Sequence, residues 1–153
     1  VRAFADRDER LIVGGDGPEA DRLREIATDN VEFRGFLSES EKRDLLARAR
    51  GFVFAARNED FGIVPVEALA SGTPVVGVRD GYTRYQIRDG ENGLLYDRGS
   101  EHLAAALDRL CESGVEWDAA AIAAGAEQYG EAAFTDGMRE AVTEARERVR
   151  IEP

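Results

Sequence analysis

Residues 52–78 read FVFAARNEDFGIVPVEALASGTPVVGV, and this stretch decides the fold. Its first four residues form a short apolar run of the length and composition of a strand buried on both faces. A polar loop follows, and then residues 62–70 have helical composition, with Pro65 in the first turn, where a missing N–H costs little. Ser71 and Gly72 end the helix, and residues 74–78 return as a second apolar strand. The stretch therefore predicts a strand–helix–strand unit of a parallel sheet.

The same alternation extends in both directions along the chain. Upstream, residues 11–13 are predicted as a strand that runs into a glycine turn at 14–17, with Pro18 placed for the first turn of a helix over 20–27. A strand over 31–33 follows, and Ser38 with Glu41 forms a capping box that opens another helix. Downstream, residues 94–96 are predicted as the last strand, before three helical stretches. We therefore predict an α/β fold, a Rossmann-like parallel sheet flanked by helices.

The last of those helical stretches, over residues 136–149, is otherwise charged. It carries one apolar stripe: Met138, Ala141, Val142, Ala145 and Val149. A stripe of this kind is expected to be covered by another element.

The composition of the chain indicates which kinds of partner and which cellular compartment to expect. With 153 residues the chain is expected to be one domain, and 31 acidic against 20 basic residues give a net charge of −11. That charge argues against nucleic acid or an anionic membrane surface as the main partner. Cys111 is the single cysteine, which excludes an internal disulfide and fits a reducing cytoplasm. Lys42 is the only lysine among the basic residues, and this acidic, arginine-rich composition suggests adaptation to high salt.

Two glutamates frame the start of the central helix. Glu59 lies in the loop after a strand, and Glu67 lies about one turn into the helix, eight residues later. Ligands of such sheets bind at the carboxyl ends of the strands, and the unpaired N–H groups of a helix start favour a diphosphate there. Glu67 is then placed for ribose hydroxyls, and Glu59 for the hydroxyls of a sugar. The alternative is that both carboxylates only complement the helix dipole.

A second signal is the glycine turn after the first strand. Gly15 and Gly17 allow the backbone to approach a phosphate closely. The turn lacks both the full dinucleotide fingerprint and the Lys-Ser/Thr pair of a phosphate-binding loop, so it indicates a phosphate only weakly.

Several segments together resemble one family, the retaining GT-B glycosyltransferases of the glycosyl transferases group 1 type. The similarity covers roughly residues 10–140 and lies, in chain order, in residues 14–19, VEFRGF at 31–36, EDFGIVPVE at 59–67, EALASGTPVV at 67–76 and DGENGL at 89–94. The resemblance implies the C-terminal half of a GT-B fold, with residues 1–153 as a nucleotide-sugar-binding domain that is truncated at its N-terminus and lacks its acceptor domain. The version of the central motif is most similar to mannosyltransferases that use GDP-mannose.

The resemblance also implies roles for individual residues. Glu67 holds the ribose, Glu59 lies beside the donor sugar as the candidate catalytic residue, and base contacts come from near Gly35 and Phe36. The backbone that meets the sugar and diphosphate is that of Phe61, Gly62, Ile63 and Val64.

The expected activity is transfer of a hexose, most closely mannose, from GDP-mannose or another nucleoside-diphosphate sugar to a glycan or lipid-linked acceptor. Members of the family need no metal, and we expect no other cofactor. Membrane association is expected to be peripheral, through the absent half only. Two other functions remain open at this stage: a Rossmann-like binding or interaction module without transferase activity, and half of a nucleotide-sugar epimerase.

The sequence departs from the family pattern in two places. The arginine and lysine that clamp the diphosphate in the family lie upstream of a segment like residues 1–4. Where the family commonly has Gly-Gly-x-x-Glu, this chain has Tyr82 in place of a glycine and Tyr85 in place of the glutamate. Arg79 or Arg84 is a candidate to supply the missing cation.

Overall fold

The computed structural model describes residues 1–112 and 116–151, with side chains described as far as residue 148, and contains five short strands. They are β1 (Leu11–Gly14), β2 (Val31–Gly35), β3 (Phe52–Phe54), β4 (Val75–Val78) and β5 (Gly93–Tyr96). β1 pairs with β2, and β3, β4 and β5 form a second sheet in that order; every pairing is parallel. The predicted parallel strands flanked by helices are therefore confirmed, although the strands are divided between two sheets.

Seven α-helices connect and cover these strands. They are α1 (Ala20–Glu25), α2 (Glu39–Arg48), α3 (Ile63–Ala70), α4 (Thr83–Gln86), α5 (Ser100–Cys111), α6 (Ala119–Ala126) and α7 (Glu131–Ile151). Single 3₁₀ turns precede β1 and separate α6 from α7. Each parallel pair is joined through a helix, as the connection between parallel strands requires.

The core lies on both faces of β4, the one strand whose four residues are all buried. Val76 and Val78 pack into one cluster with α5 and with Phe4 near the N-terminus. Val75 points to the opposite face, into a cluster built from α3 and α6. β4 is the middle strand of the three-stranded sheet, so the loops at its carboxyl end follow a fully buried strand.

Several predicted boundaries differ from the structure. α1 begins at Ala20 as predicted but ends at Glu25, and Pro18 lies in a turn before the helix rather than in its first turn. Residues 83–86, for which the sequence predicted no element, form the short helix α4. β3 is only half-buried and its last predicted residue, Ala55, is exposed, because β3 is an edge strand rather than a central one.

The final helix is longer than predicted and its apolar stripe is uncovered. α7 begins at Glu131, and Phe134, Met138 and Val142 are 68%, 50% and 52% exposed. The side chain of Val149, predicted to complete the stripe, lies outside the described residues. Among the described helices, none is long and apolar enough to cross a bilayer.

Candidate functional site

The N-terminus of α3 is open. Its N-cap is Gly62, in the left-handed region at φ 79°, and no side chain caps it or places an acid in its first turn. By contrast, Ser38 caps α2 and Asp118 caps α6. The first N–H groups of a helix have no partner within it and carry a partial positive charge. This helix start is therefore free to bind an anion.

Glu59 lies directly over this helix start. The preceding Asn58 has a positive φ of 48°, a conformation that asparagine tolerates better than most residues, and it turns the chain toward α3. A Cβ built at Gly62 would lie 3.3 Å from Glu59 Cγ, so the Glu59 side chain passes close to the helix N-terminus. The Tyr82 N–H donates to the Glu59 carbonyl at 2.8 Å and fixes the loop to the segment after β4.

Gln86, a residue that the sequence analysis did not identify, holds the backbone of the same loop. Its side chain is buried, and its Nε2 donates to the carbonyl oxygens of Phe61 at 2.6 Å and Gly62 at 3.3 Å. Asn92 Nδ2 donates to the Gln86 carbonyl at 3.0 Å in turn. With its carbonyls bound on the inner side, the loop keeps one backbone conformation before α3. No sequence motif connects Gln86 to Phe61, which lies 25 residues away.

Glu67 is held from another helix. Lys42 on α2 contacts Glu67 Oε1 at 2.8 Å and Glu39 at 3.0 Å. The second Glu67 oxygen, Oε2, is buried and accepts no hydrogen bond from any described residue. The hydrogen bonds to Glu67 and then to Glu39 raise the pKa of Lys42 above its usual value, so the lysine stays charged at neutral pH. Sequence reasoning predicted Glu67 but not its partner.

The predicted glycine-turn residues form a second group, at the ends of β1 and β2. The Gly15 N–H donates to the Gly35 carbonyl at 2.6 Å, and the Gly17 N–H donates to Asp16 Oδ1 at 2.8 Å. Phe36, which follows Gly35 in the chain, is 91% exposed. Helix α2 connects the two groups, because it starts just after Phe36 and carries the lysine that reaches α3.

An exposed aromatic cluster borders the α3 start. The Phe61 ring stacks on Tyr82 with centroids 5.5 Å apart and meets Tyr129 edge-on at 5.9 Å, while Tyr85 lies 5.6 Å from Tyr82. Ile63 and Val64 are also exposed, at 65% and 37%. The apolar side chains of Phe61, Ile63 and Val64 are therefore exposed to solvent at the start of α3.

The two arginines suggested as substitute cations have other partners. Arg79 lies 3.5 Å from Asp97, and the Arg84 guanidinium lies over the Tyr85 ring, 4.7 Å from its centroid, and donates to the Tyr85 hydroxyl. Within residues 1–112 and 116–151, no three His, Cys, Asp or Glu side chains are grouped so that they could hold a metal ion.

Solved structures with the same fold define the class of protein. Anabaena HepE in complex with UDP-glucose superposes with a TM-score of 0.76 at 25% identity, over 94% of this chain and 43% of HepE. The lipopolysaccharide outer core galactosyltransferase WaaB gives a TM-score of 0.81 at 19% identity, over 94% of this chain and 43% of WaaB. The fold is thus one half of the GT-B architecture of glycosyltransferases.

Sequence comparison then gives the family. Residues 1–128 match the model of the family described as glycosyl transferases group 1, and the chain belongs to that family. The lipopolysaccharide core biosynthesis glycosyltransferase LpsE of Rhizobium meliloti is 39% identical over 102 residues, which is 63% of this chain and 29% of LpsE. The GDP-mannose-dependent alpha-mannosyltransferase of Corynebacterium glutamicum is 40% identical over 59% of this chain and 22% of its own length. The chain thus spans less than a third of each of these relatives.

Proposed function

We propose that this chain is the nucleotide-sugar-binding domain of a retaining hexosyltransferase. The observation that carries the proposal is the uncapped N-terminus of α3 with one glutamate on each side of it, Glu59 at the helix start and Glu67 further along the helix. Family membership and the likeness to HepE, whose structure holds UDP-glucose, support it.

The diphosphate is assigned to the open helix start. The N–H groups near Gly62, Ile63 and Val64 supply hydrogen bonds and the positive end of the helix dipole. When the sugar leaves, negative charge develops on the diphosphate, and donors fixed in advance stabilise that charge without reorganising. Gln86 serves this function indirectly, because it fixes the backbone that carries the donors.

The remaining groups are assigned as the resemblance to the family implies. Glu67 accepts hydrogen bonds from the ribose, and the exposed Phe36 ring, with Gly35 beside it, faces the base. Gly15 and Gly17 let the chain pass close to the phosphates. Glu59 lies beside the transferred hexose, as the candidate catalytic residue.

We propose GDP-mannose as the donor, with UDP-glucose as its main competitor. A GDP-mannose-dependent relative at 40% identity supports the first, and the UDP-glucose in HepE supports the second. The acceptor, a glycan or a lipid-linked sugar, is assigned to a partner domain outside residues 1–153, and the site of action to the cytoplasm at high salt, with any membrane contact made by that partner domain.

Calorimetric titration of the folded chain with GDP, UDP, GDP-mannose and UDP-glucose tests the proposal. Saturable binding is expected, and Glu67→Ala should weaken it about tenfold or more, since a hydrogen bond to a charged group contributes about 1.5–3 kcal/mol. Glu25→Ala, which removes an exposed carboxylate of α1, is the matched control and should change nothing.

Glu59→Gln in the same titrations distinguishes contacts to the sugar from contacts to the nucleotide. It should weaken binding of the nucleotide sugars and leave GDP and UDP unchanged. Absence of binding by the unchanged chain, or equal losses for the variants at positions 67 and 25, would contradict the proposed function.

A further inference from the structure

The only lysine of the chain, Lys42, forms an ion pair with Glu67. Nineteen of the twenty basic residues are arginine, yet the cation that reaches from α2 to α3 is Lys42. A lysine ammonium is a compact charge with three donors, whereas a guanidinium is a planar fork suited to one carboxylate. The compact group fits here, because Lys42 contacts two carboxylates from different helices, Glu39 and Glu67.

The contact leaves half of the Glu67 carboxylate unused. Lys42 binds Oε1, and Oε2 is buried without a hydrogen-bond partner among the described residues. An unsatisfied buried acceptor is unfavourable, so a hydroxyl that donates to it relieves a cost already present in the free protein. The terminal torsion of a glutamate is broad, and a modest rotation about it turns Oε2 toward a ligand while Oε1 keeps its lysine.

Lys42 also balances charge at the site. Glu39, Glu67 and Glu59 are all acidic, and an anionic diphosphate at the start of α3 would be repelled by them. The ammonium neutralises the carboxylate that the proposed ribose must approach. Its side chain is 24% exposed and that of Glu67 is 32% exposed, so bulk solvent screens the pair only in part.

We propose that Lys42 is a positioning residue that orients Glu67 toward the ribose hydroxyls and thereby sets the preference of the site for ribose over deoxyribose. This inference rests on the proposed nucleotide-sugar site. It goes beyond that proposal because it assigns sugar discrimination within the nucleotide to a residue of α2 that does not touch the ligand.

The test compares UDP with 2′-deoxy-UDP, and GDP with 2′-deoxy-GDP, by calorimetry on the folded chain. The wild-type chain should bind each ribonucleotide about tenfold more tightly than its deoxy form, the value of one hydrogen bond to a charged group. Lys42→Met should reduce that ratio to near one. Lys42→Arg keeps a cation and should retain more of the ratio than Lys42→Met does.

Arg43→Met is the matched control, since it removes an exposed cation from the next position of the same helix. It should leave the ratio unchanged, and melting curves of all variants report any general loss of stability. A Lys42→Met chain that binds ribonucleotides and discriminates like the wild type overturns the inference while leaving the proposed function standing. Absence of nucleotide binding by the wild-type chain overturns both.

Discussion

At the scale of single residues, the loop after β4 depends on Gly81. A Cβ at this position would lie 2.6 Å from both the amide nitrogen and the carbonyl oxygen of Glu59, and φ is +53°. Gly81→Ala should therefore displace the Glu59 loop and lower the free energy of unfolding by about 2–4 kcal/mol, from left-handed strain and overpacking together. Urea unfolding measures the loss.

Gly90→Ala is the control for Gly81→Ala. Gly90 also has a positive φ, +84°, but a Cβ there would have nothing within 4 Å. Gly90→Ala should therefore lower the free energy of unfolding only by the cost of a left-handed backbone, about 1–2 kcal/mol. Equal destabilisation of the two variants would show that contact with Glu59 is not what requires a glycine at position 81.

Some residues of the candidate site could be predicted from the sequence and others could not. The positions of Glu59 and Glu67 relative to the α3 start followed from spacing along one segment. Lys42 and Gln86 did not, because each lies 25 residues from the group it binds. Contacts of that kind depend on how α2 and α4 pack against α3, and no local pattern encodes them.

At the scale of elements, the capping box of α2 makes stability depend on pH. The Ser38 hydroxyl, and then the Ser38 N–H, donate to the Glu41 carboxylate and lower its pKa below the usual value. A carboxylate with a lowered folded-state pKa contributes stability that is present above its unfolded pKa, about 4.3, and is lost as the pH falls through its folded pKa. Glu41→Gln keeps an acceptor without the charge. Wild type should therefore be more stable than Glu41→Gln near pH 7, and the difference should shrink toward about pH 3.

Chemical denaturation of both chains across this pH range measures that difference. Ser38→Ala completes a double-mutant cycle with Glu41→Gln, because the Ser38 hydroxyl is the largest cause of the lowered Glu41 pKa. In a Ser38→Ala background the pH-dependent part of the difference should be reduced. A difference that stays constant from neutral to acidic pH would show that the Glu41 charge contributes nothing to the helix start.

Two helices, α2 and α3, were predicted correctly at their starts. α2 and α3 begin where the capping box and Pro65 indicate, since such signals act within one turn. α4 has four residues and no side-chain cap, so nothing in residues 83–86 distinguished it from a loop. The stripe of α7 was recognised, but periodicity cannot tell whether another element covers an apolar face.

At the scale of the whole molecule, the alternation of strands and helices predicted parallel pairing, but not the division into two sheets. Which strands become neighbours depends on where the intervening helices pack, and each candidate strand is an apolar run of only a few residues. The central position of β4 was likewise not encoded locally: residues 52–55 and 75–78 are similarly apolar, and only the pairing order makes β4 buried and β3 an edge.

The net charge of −11 predicts that salt stabilises the molecule. Two effects oppose each other. Salt weakens exposed ion pairs such as Arg22 with Glu19, but such pairs contribute about 0–1 kcal/mol each. It also screens repulsion among the excess acids, since the Debye length falls from about 10 Å at 0.1 M to about 3 Å at 1 M. We expect the second effect to dominate and to raise the melting temperature by about 4 °C between these concentrations of NaCl, equivalent to roughly 1–2 kcal/mol.

A charge-reduced variant separates screening from any general effect of salt on burial. Five exposed acids that form no ion pair among the described residues can be made amides: Asp6, Asp8, Glu25, Asp29 and Glu140. Because this variant has less repulsion to screen, its melting temperature in 0.1 M NaCl should be higher than that of the wild type and should rise less on addition of salt. If both chains gained equally, the gain would come from salt acting on apolar burial, and if the wild type lost stability, its ion pairs would outweigh its net charge.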